Sequence, residues 1–135
     1  MSKRIAGIVA NSIFCLTMLV LCLMSSCRSE NDFQVNTTDL EGEWYIIEAF
    51  RENRKTKLLE NGVFSFSDSQ YFKTNILRDS NQYKFILSEK IIFVEDSARS
   101  RYNVIGFSQD TLTLESTIHD FEFKFVLHKA NTNEE

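Results

Sequence analysis

The chain has 135 residues, 43% of them hydrophobic and 25% charged, with 12 Phe, 4 Gly and no Pro. That length fits one domain, and a formal charge of −4 argues against a nucleic acid partner, which would call for a basic face. The three cysteines, Cys15, Cys22 and Cys27, all lie in the first fifth of the sequence, so they offer no framework for cross-linking the rest of the chain.

The N-terminus opens with Lys3 and Arg4, continues through an apolar segment whose uninterrupted core is Ile13 to Met24, and ends on Ser25, Ser26 and Cys27. A charged start, an apolar centre and small residues at the cut describe a secretory signal. The stretch from Ile5 to Met24 also approaches the roughly 20 residues of a spanning helix, although Asn11, Ser12 and Thr17 interrupt it. Leu23-Met-Ser-Ser-Cys27 resembles a bacterial lipoprotein lipobox, with Met24 where Leu is more usual. The resemblance implies cleavage before Cys27, acylation of its thiol and amino group, and a place in the cell envelope, at the outer membrane. Three acyl chains make a stable anchor.

Removal of the first 26 of 135 residues leaves 109, with 13 basic residues against 19 acidic and a formal charge of −6. Cys27 is then thioether-linked, so the fold rests on packing without a disulfide. Residues 27–38 are polar and aperiodic, which reads as a flexible tether. Glu30 and Asp32 resemble the surface-export signal of Bacteroidota lipoproteins, interrupted by Arg28; the surface and the periplasmic face both stay open. Residues 130–135 read as a polar tail.

From residue 39 to 129 the apolar period is two almost throughout. Eight strands are expected: Trp44–Phe50, Val63–Phe66, Tyr71–Ile76, Gln82–Leu87, Ile91–Val94, Tyr102–Phe107, Thr111–Glu115 and Phe121–Leu127. The last is clearest, with Phe121, Phe123, Phe125 and Leu127 on one face and Glu122 and Lys124 on the other. Breakers such as Ser67-Asp-Ser69 and Ser108-Gln-Asp110 separate the strands. The chain is therefore all-β, and eight short strands with short connections fit an antiparallel up-and-down barrel, whose closure removes exposed edges. An open sandwich is the alternative.

Asp39-Leu-Glu-Gly-Glu-Trp-Tyr-Ile46 resembles the Gly-x-Trp opening of lipocalins and lipocalin-like domains, carried here by Gly42 and Trp44. The resemblance extends over Asp39 to Lys129. It implies a barrel whose floor Trp44 closes after a short turn of helix, and a binder of small molecules. Lipocalins proper set an Arg of the last strand against that Trp; the basic residues late in this chain are Lys124, His128 and Lys129.

In a meander the connections alternate between two ends. Arg51–Gly62, Arg78–Asn81, Glu95–Arg101 and Ser116–Asp120 share one end, while the three connections at the other are tight. This predicts a cup with a mouth. Arg51, Arg54, Arg99 and Arg101 at the rim are candidates for an anionic head group, since the guanidinium fork suits carboxylate or phosphate. Companion carboxylates such as Glu52, Asp79, Asp96 and Asp120 lower the net potential. If Trp44 points inward then Glu48 does too, and an inward carboxylate wants a partner, water or the rim. The inward aromatics are large, so the lumen is either a packed core or just wide enough for one ligand.

No catalytic residue, metal site or cofactor is expected. His119 and His128 lack metal-ligand spacing, and the mature chain carries no nucleophile or phosphate-loop motif. Two functions follow. One is a membrane-anchored, lipocalin-like binder of a small apolar or amphipathic molecule. The other is a solid barrel whose surface meets another envelope protein or a polymer, with Tyr45, Tyr71 and Tyr102 as outward aromatics.

Overall fold

Strand pairing runs unbroken around the domain and returns to its start. The computed structural model describes Cys15 and residues 32–131; the rest of the signal segment, Cys27 and residues 132–135 lie outside the described residues. The chain divides into two units, Met1–Asp32 and Phe33–Glu135, and the fold described is that of the second.

A single turn of helix, α1 (Thr37–Leu40), precedes nine strands: β1 (Gly42–Arg51), β2 (Arg54–Lys55), β3 (Val63–Ser67), β4 (Tyr71–Thr74), β5 (Tyr83–Ser88), β6 (Ile91–Val94), β7 (Arg101–Phe107), β8 (Thr111–Ile118) and β9 (Phe121–Lys129). All pairings are antiparallel; β1 pairs with β2 and β3, each strand from β3 to β8 pairs with the next, and β1 also pairs with β9. The result is the expected closed, eight-stranded up-and-down barrel of lipocalin-like architecture. The two-residue β2 is an appendage that folds back on the end of β1. The expected run Tyr71–Ile76 ends early because Asn75 turns to Val63: its side-chain oxygen accepts from the Val63 N–H at 2.8 Å.

The core is aromatic. Phe64 lies 5.5 to 5.8 Å, centroid to centroid, from Phe72, Tyr102 and Phe125, in tilted and edge-on arrangements that favour aromatic pairs. Ile92, Leu112, Leu114 and Leu127 are completely buried around them. At the floor, Trp44 is fully buried and its indole N–H donates to the Leu40 carbonyl at 2.7 Å, which ties β1 to α1.

Two bulges change which side chains enter this core. In β1 the register shifts between Ile46 and Glu48, so Ile47 is the extra residue and the alternation resets. Glu48 therefore faces outward, opposite Val126, and Ala49, opposite buried Phe125, takes the inward place. The expectation of an inward Glu48 is corrected, and Phe50, which shares its parity, likewise lies outward, opposite Lys124. In β7 the shift between Val104 and Gly106 makes Ile105 the extra residue. Tyr102 is thereby inward and 1% exposed, not one of the outward aromatics.

The expected tether is also shorter than its composition indicated. Phe33 packs against the core with the Lys90 ammonium 4.2 Å over its ring, and Val35 is buried. These two apolar residues in a polar run have a surface to cover, so residues 33–38 belong to the barrel floor.

Candidate ligand site at the barrel mouth

The connections after β1 and β2, β4, β6 and β8 gather at the end opposite Trp44. Three are long, as expected; the fourth is a two-residue hairpin turn, because β8 runs on to Ile118. His119 and Asp120 both take left-handed backbone there, with φ of 49° and 68°, as a primed hairpin turn requires. The mouth is thus walled by three loops and one tight turn.

Between them opens a cleft of about 870 Å³, within the range that holds a small ligand. Its inner wall comes from residues that point into the barrel: Phe72 and Thr74 of β4, Tyr83 of β5, Ser116 and Ile118 of β8, and Phe123 of β9. Below Phe72 the aromatic cluster fills the lumen. The cup is therefore shallow, solid in its lower part and open above, and neither a fully packed barrel nor a deep calyx.

The buried polar atoms of the wall are satisfied by main chain. Thr74 Oγ1 donates to the Val63 carbonyl at 2.8 Å, and Ser116 Oγ to that of Arg101 at 2.7 Å. Ser116 Oγ keeps its lone pairs available as acceptors, whereas Thr74 Oγ1 also accepts from the Ile76 N–H at 3.4 Å and keeps one. Two loop carboxylates are fastened. Asp96 accepts from the Ser100 N–H at 2.7 Å and the Ser100 hydroxyl at 2.5 Å. Asp79 accepts from the Tyr83 hydroxyl and from the Asn81 N–H; the Tyr83 bond leads in holding the Asp79 carboxyl below its ordinary pKa and raising that of the phenol.

Of the residues singled out from the sequence, Arg99 and Arg101 line the cleft, joined by Arg78. Arg101 turns its guanidinium toward the outer face, 5.4 Å from the Phe93 centroid. Arg51 stacks 3.7 Å over Phe121, and Arg54 is exposed on β2; neither lines the cleft. Glu48 bonds Lys55 at 3.2 Å on the outer surface, also away from it. Five carboxylates, on Asp79, Asp96, Glu115, Asp120 and Glu122, accompany the four basic residues Arg78, Arg99, Arg101 and Lys124 in the lining. The arginine cluster expected to seize an anion is dispersed. Gly42 and Trp44 stand at the floor and are structural. Sequence reasoning missed Thr74 and Ser116, though both share the inward parity of apolar neighbours on their strands. Among the described residues no group of three or more His, Cys, Asp or Glu stands ready to hold a metal ion.

The chain matches no protein-family model and no curated protein sequence. The barrel and its mouth carry the functional argument.

Proposed function

We propose that this protein is a lipid-anchored, lipocalin-like barrel of the cell envelope that binds a small apolar or amphipathic molecule in its mouth. The observation that carries this reading is the cleft itself: about 870 Å³ of open space over an aromatic base, placed where the long loops converge. Apolar Phe72, Ile118 and Phe123 would take a short hydrocarbon or ring, and the acceptors of Thr74 and Ser116 a hydroxyl or amide. With acidic and basic groups nearly balanced around it, the site suits a neutral or zwitterionic head better than a strong anion. Anchorage through acylated Cys27, at the outer membrane, belongs to the same proposal and rests on the lipobox. Catalysis forms no part of the proposal.

Native mass spectrometry of the chain from Arg28 onward, recovered from its host's envelope, tests the reading. Extra mass lost on organic extraction supports it. A bare mass, with no uptake from a panel of fatty acids, fatty alcohols and hydrophobic dyes, removes it.

One observation favours the interaction module. Ile86 and Phe93 are register partners on the outer wall, 57% and 37% exposed, and would give a protein partner an apolar foothold.

A further inference from the structure

We infer that the barrel stands floor-down on its membrane, with the mouth turned to the aqueous compartment, so that ligand arrives from solution and not from the bilayer that holds the anchor. The inference rests on the lipid anchor proposed above.

Phe33 is fixed at the floor: it packs on the core beneath the Lys90 ammonium, and Lys90 belongs to the tight β5–β6 connection, at the end opposite the mouth. Val35 and Leu40 are buried beyond it, so nothing after residue 33 pays out as slack. Only residues 28–32 then separate Cys27 from the floor. The six Cα-to-Cα steps from Cys27 to Phe33 span at most about 20–22 Å fully extended, too little to carry the anchor around the edge of the floor and up the outside of the barrel wall to the mouth. The nine residues of β9, at about 3.3 Å each and tilted as barrel strands are, set the mouth a further 20 Å or so away.

Charge decides how the floor meets the surface. Glu41, Asp68, Glu89 and Asp110 outnumber Lys90 and Lys129 at that end. An anionic leaflet repels such a floor over roughly a Debye length, about 8–10 Å. The domain rides above the headgroups on its tether and neither inserts nor lies on its side.

The acylated mature chain, beginning at Cys27 and reconstituted in phosphatidylethanolamine–phosphatidylglycerol vesicles carrying headgroup nitroxide, provides the test. A fluorophore is placed through Gln70→Cys or Gln109→Cys at the floor, or through Ser80→Cys at the mouth. The expected result is strong quenching at both floor positions and little at Ser80→Cys. Inserting a long Gly-Ser segment after Asp32 should erase the difference. Equal quenching at the two ends of the normal chain, or stronger quenching at the mouth, overturns the orientation while leaving the anchor intact. An unacylated chain in the soluble fraction overturns the anchor, and the orientation with it.

Discussion

The Lys129 ammonium lies 5.2 Å from the centroid of the Trp44 ring, so the last residue of β9 covers the first buried residue of β1 at the barrel's closing seam. The Lys129 stem reaches the ring across Gly42, where an added Cβ would sit 3.1 Å from Lys129 Cε and where φ is +117°. The Gly-x-Trp pair thus has two separable jobs here: Trp44 plugs the floor, and Gly42 leaves room for the cation above it. Lys129→Ala should cost about 1 kcal/mol of unfolding free energy, measured by urea denaturation, and Lys129→Arg should retain most of it. Gly42→Ala should cost more than Lys129→Ala, because backbone strain adds to the lost contact.

Gly62 marks a tighter approach. A Cβ there would lie 2.3 Å from Ile46 Cδ1 and 2.8 Å from Ile76 Cγ2. Overpacking of this kind costs about 1–3 kcal/mol, so Gly62→Ala should lower the urea midpoint. Ile46→Val deletes Cδ1 and should recover part of the loss in a double-mutant cycle.

Tyr102 carries a buried hydroxyl with no hydrogen-bond partner. Tyr102→Phe removes that unsatisfied group and should leave stability unchanged or raise it by about 1 kcal/mol. A clear loss would mean that the hydroxyl has a bound partner in solution. Burial first, then the Asp96 charge, push the phenol's pKa above its ordinary 10. A group whose folded pKa is raised holds its proton in the native state while the unfolded chain releases it. Its stabilising contribution is complete below pH 10 and is lost progressively as pH climbs toward the folded value. Alkaline unfolding of the wild type should show this fall, and Tyr102→Phe should lack that component.

Filling the cleft should abolish its use without harming the fold. Ile118 is half-buried on the wall, and Ile118→Trp should weaken binding of the co-purifying molecule at least about tenfold, some 1.4 kcal/mol, with an unchanged circular dichroism spectrum. Arg99→Ser should weaken it less. Glu48→Gln, on the far side of the wall, should change neither affinity nor, by more than about 0.5 kcal/mol, stability.

The barrel was readable because its strands bury one face, and a strict period of two survives in β3, β8 and β9. The misplacements sit where that period breaks. Ile46 and Ile47 are both apolar, so nothing in composition marks Ile47 as the extra residue that sends Glu48 outward. Counting back from Phe107 puts Tyr102 outside unless the bulge at Ile105 is known. Phe33 and Val35 were lost in a polar stretch because two residues are too few to show periodicity. The mouth followed from connection lengths alone. The dispersal of its arginines did not, since exposed side chains at strand ends go where local contacts lead them: Arg51, closing β1, to Phe121 and Arg101, opening β7, to Phe93.

The most direct test of the mouth as a binding site is an amide chemical-shift titration of the delipidated chain from Arg28 with the molecule extracted from its own envelope preparation. Shifts concentrated at Thr74, Tyr83, Ser116 and Phe123, with Ile86, Phe93 and Ile105 unmoved, are the result expected. Shifts confined to Ile86, Phe93 and Ile105 on the outer wall would contradict it and make the barrel a scaffold for surface contacts.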